Sequence, residues 1–179
     1  MASETRRQLP RLRTGYALVD APKSHPVATL AALCFEGALL FMLNRPFHHA
    51  FAVKDLASTR TFYGELLGCG EGRSSETWVD FDFYGNQLSA HLGSPVPPAA
   101  MGHVEGVAVP IPHFGALLGW EDFHALAARL TDAGLRFVIP PSVRYVGQPA
   151  EQATMFFLDP SGNAIELKAL RNPSAVFAR

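Results

Sequence analysis

Three side chains far apart in the chain are of the types that hold a divalent cation: His48, His113 and Glu166. Neutral imidazole suits iron, zinc, nickel and copper, and a carboxylate adds charge and hardness. Two histidines with one carboxylate leave positions open for substrate and oxygen on non-haem Fe(II). The histidines are 65 residues apart and the glutamate lies 53 further on, so only a fold can bring them together. The case for them comes from their strand neighbours, because alternate residues of a strand share a face. His48 shares its face with Ala50 and Ala52, and His113 shares its face with Gly115, so both faces leave room for a ligand. Glu166 lies with Ala164 and Lys168, while Ile165, Leu167 and Ala169 point to the core. A carboxylate in that setting is costly to bury unless paired or metal-bound. Gln87, Ser89 and His91 form a fourth polar face. His103 and His124 carry no such argument and read as ordinary surface or core-satisfied rings. His49, on the bulky side of its strand, reads as structural.

These residues need a frame, and the chain from Phe47 writes one twice. Alternation predicts a strand over 47–53, followed by a helix over 56–67 with Asp55 as N-cap and Gly68 as stop. Strands over 78–84 and 87–92 follow, joined by a turn at Gly85-Asn86. The second half repeats the order. It has a strand over 111–118, a helix over 121–133 ending at Gly134, and strands over 135–139, 153–158 and 163–170. Asp159-Pro160-Ser161-Gly162 marks the last hairpin. Residues 93–110, with four prolines and three glycines, read as the linker between halves. Phe156 and Phe157 read as core. The expected class is α+β, built from two strand–helix–strands modules whose polar faces line one cavity.

Composition narrows the function classes. Of 179 residues, 48% are apolar and 17% charged, and 15 basic against 16 acidic residues give a net charge of −1. That balance excludes a nucleic-acid binder held by phosphate electrostatics, a polybasic membrane-surface protein and a disordered chain. Cys34 and Cys69, the only cysteines, form no disulfide framework, so a reducing, cytoplasmic setting is expected. Residues 1–44 differ from the rest. They are basic at first and then apolar from Val27 to Leu43, broken by Glu36. That run is short for a bilayer span of about 20 residues. It is also long for a signal core of about 7–15 residues, and no A-x-A site follows it. An accessory extension with a helix over 28–43 is expected, or else translation starting at Met42. The expected organisation is then an extension over 1–44, a domain over 45–171 (modules 46–93 and 111–171, linker 94–110) and a tail over 172–179.

Two segments carry a resemblance to a known family. They are Phe47-His48-His49-Ala50-Phe51-Ala52-Val53-Lys54-Asp55-Leu56 with Thr61-Phe62-Tyr63, and Phe156-Phe157-Leu158-Asp159-Pro160-Ser161-Gly162-Asn163-Ala164-Ile165-Glu166-Leu167. Together they resemble the vicinal oxygen chelate superfamily, which includes glyoxalase I, fosfomycin and bleomycin resistance proteins, and extradiol ring-cleaving dioxygenases. The resemblance spans roughly 46–171. It implies two βαβββ modules forming a cupped mixed sheet around a metal, with helices outside and with His48, His113 and Glu166 as ligands. Glyoxalase-type members use a fourth ligand, a carboxylate closing the first module. Aligning the two Gly-Asn pairs puts Ser89 opposite Glu166, and no carboxylate lies between Gly85 and Pro98. Three ligands with open positions resemble the extradiol dioxygenases instead, as does Pro112-His113-Phe114-Gly115. The implied activity is ring cleavage of a small catechol-like substrate with a divalent metal, Fe(II) before Mn, Ni or Zn. Under it, His91 is the acid–base candidate, because imidazole as a side-chain type exchanges protons near neutral pH. Arg144 and Tyr145 are candidates for holding the substrate through an anionic group. A glyoxalase-type isomerase or lyase and a metal-free drug-binding protein stay open as alternatives. A small-molecule partner is expected, with no nucleic acid and no membrane. Homodimers are common in the superfamily.

Overall fold

Alternating large and small residues build β1 (His48–Val53), and the Asp55 carboxylate turns the chain into helix α1 by accepting the Ser58 N–H at 2.6 Å. In this computed structural model, residues 46–104 and 106–177 are described. The expected extension, with its helix, Cys34 and Met42, lies outside them. Helix α1 runs as an α-helix over Leu56–Arg60 and continues with π-helical spacing over Thr61–Leu66. There the Leu67 N–H reaches the Phe62 carbonyl at 2.9 Å, five residues back. β2 (Gly70–Ser74), β3 (Trp78–Phe83) and β4 (Asn86–Leu92) complete a sheet in the order β1-β4-β3-β2, with β1 parallel to β4.

A hairpin follows, β5 (Ala100–Val104) and β6 (Val107–Ile111). Then β7 (Phe114–Leu118), α2 (Trp120–Asp132), β8 (Phe137–Arg144), β9 (Gln152–Leu158) and β10 (Ala164–Leu170) form the second unit. Its sheet order is β7-β10-β9-β8, again with the first and last strands parallel. The two sheets repeat one topology, which is the βαβββ duplication expected from the sequence, with both helices outside the sheets. Val53, Phe62, Tyr63, Phe81, Phe83, Phe123, Leu130, Phe157, Ile165 and Leu167 belong to one buried core drawn from both modules. A short 3₁₀ turn, Pro173–Phe177, occupies the tail.

Several local expectations are corrected. The linker is not featureless, since residues 100–111 pair as β5 and β6. Ile111 therefore belongs to β6, and His113 sits just before β7 rather than within it. β2 was not foreseen, because its Gly-Glu-Gly-Arg-Ser run is exposed throughout and carries no apolar alternation. The first hairpin turns at Tyr84-Gly85, one residue earlier than expected. Both turn residues have positive φ (52° and 84°), the geometry of the tight primed turns that match strand twist. Tyr84 tolerates it because its hydroxyl donates to the Leu67 carbonyl at 2.9 Å.

The turn after β9 ties the modules together. The buried Asp159 carboxylate accepts the Ser161 and Asn163 backbone N–H groups and the Asn163 side-chain amide, each at 2.8 Å, and the Tyr63 hydroxyl at 3.1 Å. Burial, with Asp159 adding to it, pushes the Tyr63 phenol well above its ordinary value. Ser161 Oγ accepts the Lys54 N–H at 3.0 Å, and the Asn163 amide also donates to the Ala52 carbonyl at 3.1 Å. The end of β1 is thus clamped by the second module.

Two predictions follow from this packing. A Cβ on Gly115 would stand 1.6 Å from the Glu166 carbonyl oxygen. Gly115→Ala should therefore force β7 from β10 and cost about 1–3 kcal/mol in urea unfolding. An unchanged midpoint would mean that the strands have slack. The Cys69 thiol, pushed up from 9.0 to about 12 chiefly by burial and also by Asp82, keeps its proton in the native state when the unfolded chain has lost it. Native protein then binds more protons between pH of about 9 and 12, so stability falls across that window and not below it. Cys69→Ala should flatten the alkaline fall, measured as urea midpoint against pH. An equally steep fall would assign it to other groups.

Candidate metal centre

In the second module the site is assembled by register. β10 pairs Glu166 with Gly115 of β7 on one side and with Phe156 of β9 on the other. Gly115 lets the two backbones close, and Lys168, two residues on, shares the Glu166 face and stands opposite Thr154. The carboxylate is divided between its oxygens. Oε1 accepts the Thr154 hydroxyl at 2.8 Å and lies 3.6 Å from the Lys168 ammonium. Oε2 faces His113 Nε2 at 3.3 Å. The other ring nitrogen, Nδ1, is 2.6 Å from the Pro110 carbonyl. A carbonyl only accepts, so Nδ1 carries the proton and donates. In the neutral ring, Nε2 then presents a lone pair directly to Oε2.

Two acceptors facing each other at that distance call for a cation between them, either a proton on the ring or a metal. Adjacent ligand atoms around a divalent ion, each about 2.0–2.2 Å from it, lie about 3 Å apart. The pair fits that spacing. The Pro110 carbonyl and the Thr154 hydroxyl each bond the far side of one member of the pair, the kind of outer hydrogen bond that orients ligands in metal sites generally. The His113 ring also stands edge-on to Phe156 at 5.1 Å.

The pair lies in the wall of a cavity of about 290 Å³, with Val107, Val109, Ile139 and Phe156 as its apolar walls and Lys168 and Arg144 also lining it. Phe156 was expected to be core. It is buried but lines this cavity, while Phe157 is core. A second cavity of about 310 Å³ shares His113 and is walled by Ala50 and Ala52, the small face of β1. Room beside β1 was the sequence expectation, and the hollow is there.

His48 is the part of the trio that does not arrive. Its Nδ1 is 3.0 Å from Gln87 Oε1 on the first sheet. Among the described residues no group of three or more His, Cys, Asp or Glu side chains is placed to hold one ion. The structure therefore brings together His113 and Glu166, and leaves His48 on a neighbouring exposed face. His91 shares that face, exposed, with its ring 6.3 Å from Trp78, and does not line the His113 cavity. Arg144 ends β8 and does line it. Tyr145, at φ 56°, lies under the Arg144 guanidinium at 5.5 Å and is not among the lining residues. His49 is half-buried against Phe51 and Phe114, and its pKa is lowered by that burial and then by His48, as suits a structural ring.

The register confirms that Ser89 occupies in the first module the position Glu166 occupies in the second: Ala50 pairs with Ser89 as Gly115 pairs with Glu166. Reading along the chain missed Asp80, which stands opposite Ser89 on β3. It is buried and accepts the Ser89 hydroxyl in a very short hydrogen bond and the Gln87 amide at 3.0 Å. The signal was present, since Asp80 sits between Val79 and Phe81 just as Glu166 sits between Ile165 and Leu167. Thr154 offered no comparable sign. Its partner is visible only once β9 and β10 are in register.

Residues 45–167 match the family model of the glyoxalase/bleomycin resistance protein/dioxygenase superfamily. Among solved structures, a glyoxalase/bleomycin resistance protein/dioxygenase from Alicyclobacillus acidocaldarius is 29% identical, with a TM-score of 0.60 over 75% of this chain and 97% of that one. A glyoxalase/dioxygenase from Nostoc punctiforme (19% identity, TM-score 0.54, 74% and 94% covered) shares the fold. So does the fosfomycin resistance protein FosX from Listeria monocytogenes (19%, 0.51, 68% and 89%). No curated protein matches the sequence. With its duplicated βαβββ sheets and a family match over most of its length, the chain belongs to the glyoxalase/bleomycin resistance protein/dioxygenase superfamily.

Proposed function

We propose that the chain is a divalent-metal enzyme acting on a small substrate with two adjacent oxygens, and that its reaction is extradiol-type cleavage of a catechol-like ring with Fe(II). The observation that carries the metal is the facing pair His113 Nε2 and Glu166 Oε2, 3.3 Å apart, with Nδ1 already committed to the Pro110 carbonyl. His113 and Glu166 are assigned as ligands. His48, whose Nε2 is left open by the bond at Nδ1 but which stands apart from the pair in this structure, is proposed as the third. Fe(II), when bound, supplies a docking point for both diol oxygens and an electron path to O₂. In the reaction one ring carbon–carbon bond breaks, and both atoms of O₂ enter the product.

The chain's own residues do the rest. Thr154 holds Oε1 and so keeps Oε2 turned toward His113. Phe156 and the β5–β6 valines dry one side of the cavity, which at about 290 Å³ suits a single-ring molecule. Lys168 and Arg144 favour a substrate carrying an anionic group. Ser89, in place of a fourth carboxylate, supports the three-ligand reading over a glyoxalase-type isomerase. A metal-free binder of planar anions draws its support from one observation: the Lys168 ammonium already offsets Glu166 charge at 3.6 Å.

The test is anaerobic reconstitution with Fe(II), elemental analysis, and oxygen uptake on a catechol panel. About one iron per chain is expected, with substrate-dependent oxygen uptake. His113→Ala and Glu166→Ala should lose the metal. Thr154→Val should retain it with affinity about 10–100-fold weaker. His48→Ala should weaken binding while the other two ligands remain. Turnover with Ni²⁺ or Zn²⁺ and no oxygen uptake would replace ring cleavage by isomerase or lyase chemistry. Absence of metal with retained ligand affinity would leave only the binding protein.

A further inference from the structure

The first sheet carries a chain of hydrogen bonds whose direction is fixed from its buried end. Asp80 is 6% exposed. As a carboxylate it only accepts: from the Ser89 hydroxyl at Oδ1 and from Gln87 Nε2 at 3.0 Å at Oδ2, with the Arg73 guanidinium 3.6 Å away as an ion partner. The Gln87 amide cannot be turned round, because that would set its carbonyl oxygen against the buried carboxylate. Its Oε1 must therefore point the other way, and it points at His48 Nδ1, 3.0 Å away. A carbonyl oxygen only accepts, so Nδ1 must donate. From this geometry we infer that Asp80, acting through Gln87, locks neutral His48 in the Nδ1–H tautomer and leaves the Nε2 lone pair free on the open sheet face.

That is the less common tautomer of imidazole in water, so without the relay the ring would mostly carry its proton on Nε2. His113 is set the same way by a different device, the Pro110 carbonyl at 2.6 Å. Both histidines thus present Nε2 lone pairs, one held through a side-chain relay and the other by the backbone. Asp80 and Gln87 are positioning residues, since neither lies against the His113 cavity. The use of this lone pair as a metal ligand rests on the proposed function. The tautomer itself does not.

The ¹⁵N chemical shifts of the His48 ring decide the matter, recorded on full-length protein at a pH where the ring is neutral. The wild type should show a protonated Nδ1 and an unprotonated Nε2. Gln87→Leu and Asp80→Leu should each move the population to Nε2–H, while Ser89→Ala, which leaves the relay intact, should not. A wild-type His48 protonated on Nε2, or a tautomer unmoved in a folded Gln87→Leu protein, overturns the relay. Zn²⁺ titration of the same proteins reads the other question. Gln87→Leu should bind Zn²⁺ about 10–100-fold more weakly. Wild type with the expected tautomer but no Zn²⁺ binding would overturn the metal assignment and leave the relay standing.

Discussion

A carboxylate oxygen and an imidazole nitrogen stand 3.3 Å apart in the wall of the second module, two acceptors face to face whenever the ring is neutral. Left uncompensated, such a contact is repulsive, and a partly buried carboxylate is expensive to keep. The surrounding structure nonetheless holds the two in place. The Pro110 carbonyl fixes the ring, Thr154 fixes the carboxylate, and Gly115 lets β7 and β10 approach until the two side chains meet. Each device removes a degree of freedom that would let the pair relax apart. A cation between them turns the repulsion into two favourable bonds.

The duplicated fold makes this arrangement affordable in structural terms. Each module is a short sheet with one apolar face, too small to bury itself, and the two share one core. The Asp159 turn, held by its own Ser161 and Asn163 donors, joins them through the Tyr63 hydroxyl on Asp159 and through two bonds to Ala52 of β1 and to Lys54 just after it. The functional faces are thereby left free of core duty. Ala50, Ala52 and Gly115 sit where larger residues would have packed, and cavities remain beside His113.

Much of this was legible in the sequence, for physical reasons. Period-two alternation identified β1, β4 and β10, helical spacing identified α2, and the repeated order of elements implied the duplication. Glu166 announced itself as a charge amid apolar neighbours. What was hidden depends on register or on long-range partners. β2 has no apolar pattern. The β5–β6 hairpin lies in a stretch whose prolines and glycines read as a linker. Tyr84 at positive φ needs the Leu67 carbonyl to hold it. Asp80 and Thr154 gain meaning only from residues on the adjacent strand. The separation of His48 from the His113–Glu166 pair is likewise a matter of how the two sheets meet, which no local pattern encodes.

Anomalous diffraction from crystals of the protein soaked in Mn²⁺ or Zn²⁺ locates the cation directly. The predicted result is a single strong peak within about 2.2 Å of both His113 Nε2 and Glu166 Oε2. A map empty at that point, with the His113 ring or the Lys168 ammonium alone balancing Glu166 in fully metal-equilibrated crystals, would contradict it.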